Sequence, residues 1–312
     1  MSDPAITIEK LCKTVSATFS LGPVSLVVPR GTVCALVGPN GAGKTTLLNL
    51  LMGIGPASGG RASVLGHDLG TSAAEITGIL SFDLGTAAVE IKRRAALVSP
   101  EISYRAWGTV GRAIDFVSGF YPDWDPARCE ELRDQLGLKR TERIEALSFG
   151  SRMKLSLLMA LSRNAELLLL DEPTIGLDPL ARQALFAQLL GFMQNENRTI
   201  VISSHQLTEL ERIADHVAVI NQGQLIVAGA IPDVLERYQE LDVLLGTAGL
   251  DTRPGIYPLA RAGDRARILV DRSCADTSGL ETIGARALTL EELFVALIRS
   301  HAGLRWRARM AA

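Results

Sequence analysis

Residues 38–46, GPNGAGKTT, fit the spacing G-x-x-x-x-G-K-[ST], with Gly38, Gly43, Lys44 and Thr45 at the fixed places. Pro39, Asn40, Gly41 and Ala42 fill the variable positions, and Thr46 follows. Glycines at 41 and 43 let a loop turn its backbone N–H groups inward without Cβ clashes, making a concave donor surface for phosphate oxygens. Lys44 would reach the β- and γ-phosphates, and Thr45 would place its hydroxyl on a Mg²⁺ ion. A helix starting there would aim its positive end at the same anion. The bland alternative is a glycine-rich surface turn with an incidental lysine. Four fixed positions between a strand pattern and a helix pattern outweigh it, and the loop implies a nucleoside triphosphate.

Two further sets of reactive groups follow apolar runs. Asp171 and Glu172 come after LLLL at 167–170, while Ser204 and His205 lie at the end of TIVIS, 199–203. Ligands of open parallel sheets sit at the carboxyl ends of strands, which would bring both sets beside the phosphate loop. Asp171 suits a direct or water-mediated hold on Mg²⁺, and Glu172 suits orienting or deprotonating an attacking water. His205 could contact the γ-phosphate. Alone, two acids after a strand are a solvated loop and a single histidine is structural; the phosphate loop shifts that balance.

The elements that must position these groups are legible as patterns. VCALV at 33–37 is a continuous apolar run, as in a buried parallel strand, and LLNLLM at 47–52 continues as a helix. Residues 6–9 and 24–28 read as earlier strands, the second closed by a turn at 29–31. A glycine-rich connection, 53–60, leads to an internal repeat: DLGTSAAEI at 68–76 and DLGTAAVEI at 83–91 share seven of nine positions. One inserted copy in a surface loop or edge strand accounts for it. Residues from about 109 to 162 have apolar residues at helix spacing, interrupted at 121–126 by a turn with two prolines and the exposed aromatics Tyr121 and Trp124. Local packing of those rings outranks a docking role. Residues 217–220 and 225–227 read as an antiparallel hairpin that closes the core domain near 230. Beyond about 240, a strand at 266–270 and an amphipathic helix at 290–299 form a small appendage. Its basic end, with Arg305, Trp306, Arg307 and Arg309, reads as a frayed tail in preference to a lipid contact.

Bulk properties narrow the classes. A chain of 312 residues has room for one large domain with an appendage, or for two domains. Lys+Arg 32 against Asp+Glu 34 leaves a net charge of −2, which offers no electrostatic case for nucleic acid. The four cysteines, Cys12, Cys34, Cys129 and Cys274, form no C-x-x-C pair and suit a reduced compartment. No basic-then-apolar leader opens the chain, and no run approaches the roughly 18–20 apolar residues that cross a bilayer. The expectation is a cytosolic protein that does not itself span a membrane.

The phosphate loop, LLLLDEP at 167–173, Gly176-Leu177-Asp178, SSH at 203–205 and above all LSFGS at 147–151 together resemble the ATP-binding subunit of an ABC transporter. Ser148 and Gly150 are decisive, because generic phosphate-loop proteins lack them. The likeness covers about residues 5–235, with an echo in TLEELFVAL at 289–297 of single-cassette ATPases of type-2 drug, antibiotic and lipid exporters.

The resemblance implies an α/β fold of the P-loop NTPase class. It has a mostly parallel core sheet, an N-terminal antiparallel β part, a helical subdomain at about 105–165 and a C-terminal appendage. The division would be 1–235 for the ATPase domain and 236–312 for the appendage. It further implies ATP and Mg²⁺ as ligands, with Glu172 and His205 catalytic. Ser148, Gly150 and Asp178 would contact nucleotide across a dimer, and Thr45, Asp171 and Glu101 would hold the metal. The partners would be a second ATPase subunit and a membrane permease, at the cytoplasmic face of the membrane. Departures are visible: Phe149 stands where the family has Gly and Ser151 where it has Gln. The adenine-stacking aromatic is replaced near Val15, with Phe19 the nearest ring, and Pro100-Glu101 occupy the neighbourhood of the usual glutamine. The competing class is a soluble ABC-type ATPase of translation, repair or chromosome structure, which carries two cassettes or a long coiled coil. A GTPase switch would need an N-K-x-D segment, which is absent.

Overall fold

The computed structural model describes residues 3–69, 81–205, 207–208, 210–245 and 253–310, with side chains described outside 81–86 and 301–310. Its centre is a six-stranded sheet in the order β10-β9-β3-β8-β7-β6. Here β3 is Val33–Val37, β6 Ala95–Val98, β7 Leu167–Asp171, β8 Thr199–Ser204, β9 His216–Asn221 and β10 Gln224–Ala230. Five strands run parallel and β10 folds back antiparallel on β9, so the expected hairpin is present.

β3, β7 and β8 are buried at every residue, which explains their unbroken apolar runs: a parallel strand covered on both faces has no polar side to alternate with. The two faces feed different cores. Val33, Ala35, Val37, Leu168, Leu170, Ile200 and Ile202 join one cluster with the helices α5 (Phe149–Leu161) and α6 (Pro179–Phe192). Cys34, Leu36, Leu167, Leu169 and Val201 join the other, with helix α1 (Lys44–Leu51) and a second sheet. That period-two split is the pleat of the strand made visible in packing. Burial in this core pushes the Cys34 thiol up to about 12, so it behaves as a small hydrophobe.

The second sheet, β2-β1-β4-β5, is antiparallel, with β1 Ile6–Thr14, β2 Ser20–Val28, β4 Gly59–Val64 and β5 His67–Asp68. β1 and β2 are longer than the apolar pattern suggests, because their ends, through Thr14 and from Ser20, pair with each other while carrying polar side chains. The second copy of the repeat lies on helix α2 (Ser81–Arg94) rather than in a loop or edge strand; the first copy, from residue 70, lies outside the described residues.

Between α2 and β7 sit α3 (Val110–Ser118), α4 (Pro126–Gln135) and α5, packed around Ile114, Leu132, Leu136, Leu155 and Leu158. Thr109 caps α3 and Asp125 caps α4, each accepting a backbone N–H three residues on. The turn aromatics are not free: Trp124 packs on this core, and the Arg163 guanidinium lies 3.6 Å from the Tyr121 ring centroid. Phe116 and Phe120 are exposed instead, and continue a series from Tyr104 through Trp107.

After helix α7 (Ile231–Arg237) the chain forms a third sheet, β12-β13-β11-β14, with β11 Tyr238–Leu244, β12 Ile256–Ala262, β13 Arg265–Asp271 and β14 Glu281–Arg286. Helix α8 (Leu290–Met310) follows, so the basic end continues a helix. Leu290, Leu293 and Leu297 of α8 and Leu269 of β13 pack into the same cluster as α5 and α6. The appendage therefore shares a core with the ATPase part, while its other sheet face has its own cluster around Val243 and Ile268.

Candidate functional site

β3 ends at Val37 and the loop that follows closes on α1, whose N-cap is Gly43 at φ 108° and ψ 8°. That backbone state is open to glycine and strained for any side chain. No side chain caps α1, so its leading N–H groups are available to an anion. Phe19, Asn40, Gly41, Ala42, Gly43, Lys44, Thr45, Thr46 and Glu172 line a cleft of about 460 Å³ here. Every residue of the sequence-predicted loop from 40 to 46 thus faces one space. Phe19 is the ring at its mouth, while Val15 is half exposed and outside the lining.

Lys44 is buried. Its Nζ donates to Gly38 O at 2.7 Å and lies 3.1 Å from Glu172 Oε1. β7 and β8 supply the carboxylates and their supports. Thr45 Oγ1 donates to Asp171 Oδ2 at 2.7 Å, and Ser203 Oγ donates to Asp171 Oδ1 at 2.7 Å. The backbone N–H of Glu172 donates to Ser203 Oγ at 2.9 Å, and Glu172 itself sits at φ 48°, a left-handed state that costs a non-glycine residue about 1–3 kcal/mol. Its Oε2 lies 2.8 Å from His205 Nδ1, whereas the buried Oε1 faces the Lys44 ammonium and accepts no other hydrogen bond. A buried carboxylate oxygen held by one ammonium that phosphate can draw away suits a group that receives a proton.

The residues present fit magnesium and a triphosphate. Thr45 Oγ1 and Asp171 Oδ2 are hard oxygen donors already in contact, and Mg²⁺ takes only one or two protein ligands alongside phosphate oxygens and water. No cluster of three or more His, Cys, Asp or Glu side chains placed to hold a metal occurs among the described residues.

Three expected site residues lie apart from this cleft. Ser148 caps α5, its Oγ accepting from Ser151 N at 3.1 Å, and Gly150 packs so closely on the loop before α6 that a Cβ there would stand 2.6 Å from Gly176 O. Asp178 caps α6, its carboxyl held below the usual range by the Ala181 N–H, and is exposed. None of the three lines the phosphate cleft of its own chain. Glu101 is exposed beyond β6, and no hydrogen bond or ion pair joins it to Thr45 or Asp171. Ser203 had no role in the sequence reading. Its signal was a hydroxyl inside an otherwise apolar strand.

With that geometry in place, comparisons with known proteins are informative. Residues 21–175 match the ABC transporter family. The chain is 31% identical over 82% of its length to the Nod factor export ATP-binding protein I of Cupriavidus pinatubonensis, covering 78% of that protein. It is 33% identical over 69% of its length to the uncharacterized ABC transporter ATP-binding protein all4389 of Nostoc, covering 61% of it. The chain spans about six tenths of the length of this and a further cyanobacterial relative. Proteins named for export and for import both occur among the matches. A solved structure of the ATP-binding subunit of an ABC transporter superposes with a TM-score of 0.62 at 24% identity, over 74% of this chain and 92% of that one, a likeness of fold.

Proposed function

Because this chain belongs to the ATP-binding proteins of ABC transporters, we propose that it is the ATP-hydrolysing motor subunit of an exporter. Its work is to couple nucleotide-driven dimer closure to a separate permease. The observation that carries the reading is the convergence of Lys44, Thr45, Asp171, Glu172 and His205 at the ends of two adjacent strands and the start of one helix.

Lys44 exchanges its Glu172 contact for the β- and γ-phosphates of ATP, releasing the carboxylate toward water. Thr45 and Asp171 would hold magnesium, which when bound would neutralise phosphate charge. Glu172 orients the attacking water and accepts its proton at Oε1, while His205 fixes Oε2 and reaches the γ-phosphate. By the family resemblance, Ser148, Gly150 and the α5 N-terminus serve the nucleotide of a second subunit, with Asp178 beside that junction; their position outside this cleft is compatible with that use. Two chains then make two complete sites. ATP favours the closed dimer because its contacts with both subunits exist only there.

The series Tyr104, Trp107, Phe116 and Phe120 is the surface that faces the permease, and the chain works peripherally at the cytoplasmic side of a membrane. No helix among the described residues is long and apolar enough to cross a membrane. Export is favoured by the Nod factor relative and by the C-terminal pattern at 289–297. Co-expression with a candidate permease, a multi-helix membrane protein from a neighbouring reading frame, tests the reading. The expected result is a co-purifying complex whose vesicle transport requires ATP and Lys44 and moves substrate outward. Inward movement would overturn export, and ATP turnover with no membrane partner would favour a soluble ATPase.

A further inference from the structure

We propose that Ser203 is a positioning residue that fixes the magnesium carboxylate and the catalytic carboxylate relative to each other; this rests on the hydrolytic reading above. Ser203 is wholly buried at the penultimate position of β8, in register with Asp171 on β7. Its hydroxyl has one proton and lone pairs to accept another. Asp171 offers only acceptors and the Glu172 amide only a donor, so the direction is determined. The amide N–H donates to Ser203 Oγ at 2.9 Å, and the Ser203 hydroxyl donates to Asp171 Oδ1 at 2.7 Å.

Each bond has a separate consequence. Occupying Oδ1 fixes the rotation of the Asp171 carboxylate, so that Oδ2 stays on the Thr45 hydroxyl, 2.7 Å away, where the metal is to be held. Accepting the Glu172 N–H holds that residue at φ 48°, a backbone state that turns its side chain toward Lys44 and His205. Two adjacent carboxylates with different tasks are thereby oriented by one hydroxyl from the neighbouring strand. The same strand continues directly into His205, so the support and the γ-phosphate contact share one piece of backbone.

The test compares Ser203→Ala with Ser203→Cys, which keeps nearly the same volume but offers only a weak donor. Fluorescent ATP-analogue affinity is measured in EDTA and across a Mg²⁺ titration, alongside steady-state ATP hydrolysis, with folding checked by thermal melts. In both variants we expect EDTA affinity within about twofold of wild type. The Mg²⁺ concentration for half-maximal tightening should rise about tenfold, and kcat should fall about 10–100-fold, as for loss of a group acting beyond ground-state binding. A role in packing alone predicts wild-type behaviour for Ser203→Cys. Wild-type Mg²⁺ dependence and kcat in the folded Cys variant would overturn the assignment even if the Ala variant failed to fold. If wild-type protein shows no Mg²⁺-dependent ATP binding, or Lys44→Ala leaves binding unchanged, the hydrolytic reading itself falls and takes this assignment with it.

Discussion

Replacing Glu172 by Gln changes one oxygen for an amide and should separate binding from chemistry. The chemical part follows from proton transfer: a positioned base supplies roughly 10²–10⁴-fold, equivalent to about 3–5 kcal/mol of barrier. Binding moves the other way. Lys44 Nζ lies 3.1 Å from Glu172 Oε1 with both side chains nearly buried. At an effective dielectric near 20 that separation gives a gross attraction of about 5 kcal/mol, most of it offset by desolvation. ATP must displace this contact in the wild type, whereas Gln presents no charge to displace. A net gain of about 1–2 kcal/mol, or roughly 5–30-fold in affinity, is the expected balance. Phosphate release should therefore fall at least 100-fold while ATP binding tightens, and size-exclusion chromatography with ATP and Mg²⁺ should show a stable dimer. Phosphate release within about twofold of wild type would refute the role of Glu172. Weaker ATP binding by the Gln variant would refute the competition for Lys44.

Gly150→Ala places a methyl carbon 2.6 Å from Gly176 O, so the start of α5 or the loop before α6 must shift. We expect a loss of about 1–3 kcal/mol in denaturant unfolding, together with loss of ATP-dependent dimerisation in cross-linking; an unchanged unfolding midpoint would show that the close approach is not required. Asp271 accepts two bonds from Arg237 and two from Ser273, and these overcome burial, which alone would raise its pKa, to hold the carboxyl well below the usual range. Because the folded pKa is depressed, its stabilisation is complete above the unfolded value near 4 and is lost as pH falls below it. Melting temperature should therefore drop more steeply between pH 5 and pH 3 in wild type than in Asp271→Asn; identical slopes would count against the linkage.

What could be read without coordinates was whatever short-range chemistry specifies. The phosphate loop declares itself because the anion cradle needs glycine at fixed spacing before Lys44 and Thr45. β3, β7 and β8 declare themselves because burial on both faces leaves each a run of consecutive apolar residues, with polar groups only at the ends of β7 and β8. The Ser148–Gly150 segment marked the family through residue identity alone, with no view of its surroundings.

Tertiary structure decided whatever depends on two distant segments meeting. The sequence favours local packing for Tyr121 and Trp124, but only the fold shows what they pack on, Arg163 and the helical core. Glu101 reads as an acid in the right neighbourhood, but its exposed side chain bonds to neither Thr45 nor Asp171. The appendage reads as a separate piece, while α8 buries its leucines in the core of α5 and α6. In the site itself the sequence named Asp171, Glu172 and His205 as reactive groups. Only the pairing of β7 with β8 put Ser203 between the two acids, because a strand's neighbours are chosen by long-range packing that no local pattern encodes.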